Sequence, residues 1–251
     1  MNKTKNQRFL ACPNRHSYLN KRASHVGVVL SFVIFITFII FLYSITEPAT
    51  NIDRGKQDLL NFLKIELVKD FSADLTEETI VIDKNIQDDC VRIDTEDDNL
   101  VSVAVDEETG EVLESYFDGD KVEIKRGDSN DIKVYYSKEF SNGESISGCV
   151  DIGEDDYNLG LVRTTENIFE SKIINFSGFI DNSQGYEEIK QKYKMATGDE
   201  FGFIFEDGER NVIVETKEKE VSTDIFVEEI AIQYVDNEAH IKPGFLKIKV
   251  W

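Results

Sequence analysis

Residues 21–46 read KRASHVGVVLSFVIFITFIIFLYSIT, and the placement of everything after them depends on how this stretch is read. From Val26 to Ile45 no side chain is charged, and Gly27, Ser31, Thr37 and Ser44 are the only small or polar interruptions. At about 1.5 Å per residue such a helix reaches roughly 30 Å, the thickness of a bilayer's hydrocarbon core. The spacing predicts one membrane-spanning helix over 26–46. A cleaved secretory signal has an apolar region of about 7–15 residues that ends at a small-x-small site. Here the run is longer and leads into Glu47-Pro48-Ala49, so the segment is expected to stay in the protein. No apolar run precedes Cys12, which removes a lipoprotein reading.

Charge gives the direction of insertion. Residues 1–25 hold six of the 28 basic residues (Lys3, Lys5, Arg8, Arg15, Lys21 and Arg22) and none of the 49 acids, the first of which is Glu47. Basic residues collect on the cytoplasmic side of a span. The expected topology is a basic cytoplasmic tail over 1–25, the span over 26–46, an amphipathic helical stalk over 47–78 and an acidic extracellular domain over 79–251. The predicted localisation is therefore the cell membrane, single-pass, with the N-terminus inside.

The stretch RASHVGVVLSF (Arg22–Phe32) resembles the N-terminal motif of archaeal type IV pilins and pilin-like proteins. The resemblance implies a prepilin peptidase site at Arg22, Ala23 and Ser24, with cleavage after Ala23. Ser24, Val26, Gly27, Val28 and Leu30 then match the start of the mature helix. His25 stands where proline is common, and Val28 where many mature pilins carry glutamate. Packing in a filament and residence in lipid both stay open for Val26–Ile45. The C-terminal third, with DEFGFIF, IAIQYVD and GFLKIKVW, also looks like the ends of uncharacterised membrane-anchored archaeal proteins.

Pro48 is expected to end or kink the apolar helix, because proline disfavours helix at the residue before it. A second helix is predicted from about Arg54 to Ser72, since Leu60, Leu63, Leu67 and Phe71 recur at helical spacing and Leu59, Phe62 and Val68 widen the stripe. Thr50 and Asp53 suggest a capping-box-like start for it. Beyond residue 78 the pattern turns to period two in TIVID, LVSVAVD, KVEIK, IKVYY, NLGLVRT, FGFIF and NVIVE, punctuated by EETGE, FDGDK and EDGER. The pair FGFIF and NVIVE around Asp207-Gly208 predicts a hairpin. In GFLKIKVW, Leu246, Ile248 and Val250 share one face, with Lys247 and Lys249 opposite. One further helix is predicted over Tyr186–Met195, between Gly185 and Gly198. The fold class is α+β, with a mainly antiparallel head and one short helix in it.

Of the three cysteines, Cys12 falls in the tail, while Cys90 and Cys149 lie outside, where an oxidising compartment favours a disulfide over two buried thiols. Asn175-Phe176-Ser177 is an N-glycosylation sequon on the outer side. Acid clusters at Asp94–Asp98, Asp106–Glu111 and Asp151–Asn158 lack the spacing of a calcium loop and read as solvated surface. A surface this acidic repels nucleic acid. His16, His25 and His240 are scattered, and no nucleophile triad or phosphate loop stands out. No metal, cofactor or catalytic residue is expected. The partners expected are the lipid bilayer and other pilin-like subunits through the membrane helix. The predicted function is a single-pass, pilin-like or pseudopilin-like cell-surface component of structure or adhesion without catalysis, with a monomeric anchored extracellular binding protein, and less readily an anchored enzyme, as alternatives.

Overall fold

A computed structural model describes residues 25–95, 100–217 and 224–251, with backbone alone at 26 and 45–54. The chain divides into two compact units, Met1–Asp53 and Arg54–Trp251. The protein is α+β, with one N-terminal apolar helix and a mostly antiparallel β head.

Helix α1 runs from His25 to Phe71. In the first unit, Gly27–Ser44 is long and apolar enough to cross a membrane, and none of it is buried. Two of its hydroxyls bond within the helix: Thr37 Oγ1 donates to the Ile34 carbonyl and Ser44 Oγ to the Ile40 carbonyl, both at 2.9 Å. Bonds of this kind satisfy a hydroxyl where no water reaches it. The helical assignment is unbroken through Pro48 and on to Phe71, so the predicted separate second helix is a continuation of the first. Thr50 and Asp53 fall inside the helix, where no exposed N-terminal turn exists for a capping box to satisfy.

In the second unit the predicted stripe is the heart of the core. Leu60, Leu63, Leu67 and Phe71 are at most 2 % exposed. They pack with aromatic and aliphatic residues of two short helices and three strands described below. Phe62, at the rim, is 40 % exposed and meets Tyr193 edge-on. The helix stops where Ser72 Oγ donates back to the Val68 carbonyl, and strand β1 (Ser72–Ile82) begins with no loop between.

The strands that follow are β2 (Cys90–Asp94), β3 (Val101–Asp106), β4 (Val112–Leu113), β5 (Ser115–Phe117), β6 (Lys121–Lys125), β7 (Asp131–Ser137), β8 (Val150–Asp151) and β9 (Tyr157–Phe169). Then come α2 (Glu170–Ile180), α3 (Ser183–Lys192), β10 (Phe201–Asp207), β11 (Val212–Glu215), β12 (Phe226–Val235) and β13 (Ile241–Val250). Nine strands form one sheet in the order β11-β10-β13-β12-β9-β1-β7-β3-β4, and four form a second, β5-β6-β2-β8. The sheets enclose a core of Ile80, Val91, Ile93, Ile124, Ile132 and Val134.

The hairpin at Asp207-Gly208 is present as β10 and β11, with Phe205 opposite Val214. Asp207 Oδ1 accepts the N–H groups of Glu209 and Asn211, which lets Arg210 take a positive φ of 72°. In β13, Leu246, Ile248 and Val250 are fully buried as the alternation requires, while Lys247 pairs with Glu206 and Glu229 on the opposite face. The helix predicted over Tyr186–Met195 is α3, shifted to Ser183–Lys192 because Asn182 caps it by accepting the Gln184 N–H at 3.0 Å. The expectation of a single short helix in the head fails: α2 is a second one, held by Ile173, Ser177 and Ile180 on its buried face.

Residues 138–149, between β7 and β8, strap the small sheet. Asn142 accepts the Phe117 N–H and donates to the Phe117 carbonyl, standing in for a strand neighbour. Gly143 follows because a Cβ there would lie 2.2 Å from the Ser115 carbonyl oxygen. Glu123, buried, accepts from Ile146 N–H at 2.9 Å and from Arg92 Nη2 at 2.6 Å. Burial pushes its carboxyl up, yet the Arg92 and Ile146 bonds outweigh that and hold it below the usual range. Parallel pairing of Val91 with Val150 places Cys90 beside Cys149, and the two are joined in a disulfide with Cα atoms 4.5 Å apart.

Candidate functional site

The feature best suited to bind something grows out of the register of β9, β1, β7 and β3. One row of that sheet face aligns Thr164, Thr76, Tyr136 and Ser102, and the next aligns Val162, Glu78, Val134 and Ala104. Ile80, Val134 and Tyr136 pack in the core shared with the smaller sheet, while Val162 and Thr164, at the margin of this face, are exposed. At that margin lies a cleft of about 360 Å³ whose floor includes Ile80, Ile93 and Tyr136 and whose rim includes Leu159, Val162 and Asp94. A more polar hollow of about 580 Å³ shares Thr76 and Leu100 with it and extends past Asp74 and Glu139 to Lys172.

The polar groups of the cleft are organised. Tyr136 donates to Glu78 Oε2 at 3.2 Å, and its phenol is pushed far up by burial first and by the Glu78 charge second. The Thr76 and Thr164 hydroxyls bond at 2.8 Å. Lys172 donates to the Ser72 carbonyl at 2.6 Å, and Ser137 to the Asp74 carbonyl at 2.9 Å. Neither described histidine lines the two hollows. What the arrangement offers is an apolar slot with carboxylates at its sides, a geometry suited to binding.

The cleft's outer wall is β9, which pairs with β1 along its length but meets β12 only at Ile168 and Phe169. All seven residues from Asn158 to Thr164 are exposed, Leu161 most of all at 75 %. Between the Glu78 and Ile80 pairings β9 advances by three residues while β1 advances by two, which is a bulge at Gly160 and Leu161. Gly160 is held close to Thr79, 3.2 Å from where a Cβ would sit.

Residues singled out in the sequence lie elsewhere. Arg22, Ala23 and Ser24 lie outside the described residues, as do Cys12 and His16. Cys90 and Cys149 brace the small sheet. Asn175 is exposed on α2, while Ser177 of the same sequon is buried. The acid clusters serve turns and ion pairs: Asp106 Oδ1 accepts the Thr109 N–H, and Asp94 and Asp151 both pair with Lys121. Residues 96–98 of the first cluster are outside the described residues.

Asp236, Glu238 and His240 gather at the turn joining β12 to β13, with possible ligand atoms within 4.8 Å of one another. Asp236 Oδ1 already accepts the Glu238 and His240 N–H groups at 2.9 Å, and Lys242 Nζ sits 2.5 Å from Oδ2. Burial raises the Asp236 carboxyl, but Lys242 and those backbone bonds hold it low overall. The lysine supplies the cation that a metal would otherwise provide, so the cluster reads as a stapled turn. Glu170, whose carboxyl is pushed up by burial and by the Asp236 charge, faces the same cluster.

The sequence reading missed the cleft and the open strand. Only NLGLVRT carried a trace of it, since Gly160 inside a strand pattern signals a bulge. No family model, curated protein or solved structure matches this chain.

Proposed function

We infer that the protein is a membrane-anchored surface component of pilin-like build, which acts through packing and binding rather than catalysis. The observation that carries this reading is α1. One uninterrupted helix presents an exposed apolar half over Gly27–Ser44 and then supplies, with Leu60, Leu63, Leu67 and Phe71, the centre of the β head's core. A helix exposed in its first half and packed on an antiparallel sheet in its second is the division of labour that the resemblance at Arg22–Phe32 implies. In this reading the apolar half sits in lipid or against the same helix of neighbouring subunits, the tail faces the cytoplasm, and the acidic head stands outside the cell.

Mass spectrometry of the protein from native membranes tests the pilin-like part. A mature N-terminus at Ser24 is the expected result. An intact 1–23 segment removes prepilin processing and leaves the second reading, an anchored monomeric binding protein. That reading has its own support in the cleft beside Glu78 and the open strand β9.

A further inference from the structure

Given the outward-facing head of the proposed function, on which this inference rests, we propose that Asn175 carries an N-linked oligosaccharide and receives it before α2 docks on the head.

The acceptor is Asn175-Phe176-Ser177; the other stretch of this pattern, Asn2-Lys3-Thr4, lies in the basic tail. Asn175 stands exposed in the middle of α2. Gly178 and Phe179, three and four residues on, share its side of the helix and are exposed too. A Cβ built on Gly178 would meet nothing within 4 Å beyond the helix itself, so this side is open among the described residues. A sugar on Asn175 would stand beside Ile174 and Phe179, two apolar side chains that α2 leaves exposed. The folded head therefore has room for the product.

The same fold withholds the rest of the acceptor. Phe176 packs with Phe71 of α1 and Phe203 of β10, at ring distances of 5.3 and 6.0 Å. Ser177 is buried on the face of α2 that also carries Ile173 and Ile180. An amide nitrogen is a poor nucleophile, because its lone pair is delocalised into the carbonyl. A transferase has to hold that amide and recognise the hydroxyl two residues on, which completes the acceptor pattern. Asn175 Nδ2 then forms a bond to the anomeric carbon of a lipid-phosphate-linked oligosaccharide. The bond from that carbon to the phosphate oxygen breaks, the lipid phosphate leaves with the electron pair, and one Nδ2 proton passes to a base of the transferase. With Ser177 out of reach in the docked helix, attachment belongs to a stage before α2 packs.

Mass spectrometry of the peptide spanning Asn175, from protein of native membranes, reads the modification. An oligosaccharide mass on Asn175 is expected, lost in Asn175→Gln and equally in Ser177→Ala, which keeps the asparagine. The order is read with full chain made without sugar and given, in detergent micelles, to a detergent extract of native membranes that supplies transferase and lipid-linked oligosaccharide. Phe71→Ala, which loosens the packing around Phe176, should be modified about tenfold or more faster than wild type, since the rate follows the population of the open form. Equal rates would overturn the order. A bare Asn175 on a head that external protease digests on intact cells would overturn the proposal and leave the topology standing. A bare Asn175 on a protected head would remove the topology with it.

Discussion

Phe71→Ala is expected to destabilise the head by about 3–5 kcal/mol, the usual cost of emptying a large, fully buried aromatic site. Phe71 has no exposed surface, and its ring lies 5.3 Å from that of Phe176 and 5.4 Å from that of Phe203. It is also the last residue of α1, directly before β1. Three elements, α1, α2 and β10, meet at this one side chain. Trp251, the single tryptophan, is buried against Gly202 of β10 and reports on this core in urea titrations of the detergent-solubilised protein. Phe62→Ala, at the exposed rim, should shift the same midpoint far less. Equal midpoints for wild type and Phe71→Ala would show that α1 does not form the core of the head.

Cys90→Ser is expected to cost about 2–4 kcal/mol, because the bond closes a long loop and limits the unfolded chain. The two cysteines are 59 positions apart in sequence. The disulfide pins the strap at 138–149 to β2, and Asn142, Gly143 and Glu123 complete the closure. Without it the strap should be the first place where a protease cuts, while the core around Phe71 stays protected. Limited proteolysis with and without reductant reads this directly. A cleavage pattern indifferent to both the substitution and the reductant would contradict the bracing role.

The parts of this fold that could be read from the sequence are those set by local periodicity. The apolar run, the Leu60–Phe71 stripe, the alternation in β13 and the hairpin at Asp207-Gly208 each carry their signal within a dozen residues. Other features depend on distant partners. Strand β1 begins at Ser72 although SADLTEE has no alternating apolar face, because β7 and β9 flank it and only Leu75 there is fully buried. Helix α2 contains Ile, Ser and Gly residues of poor helix propensity, and packing of Ile173, Ser177 and Ile180 overrides that preference. Pro48 is expected to end or kink the helix, and the helix does not end there but runs on to Phe71. The cleft was hidden for the same reason as β1. It is lined by β1, β7 and β9 of the larger sheet and by Ile93 and Asp94 of β2 in the smaller one, strands far apart in the sequence.

The central claim, an anchored chain with its head outside the cell, is tested most directly on membranes and whole cells of the native source. Alkaline extraction should leave the protein in the membrane pellet, and protease added to intact cells should digest the head. Release into the soluble fraction, or a head protected from external protease while cells stay intact, would contradict the account.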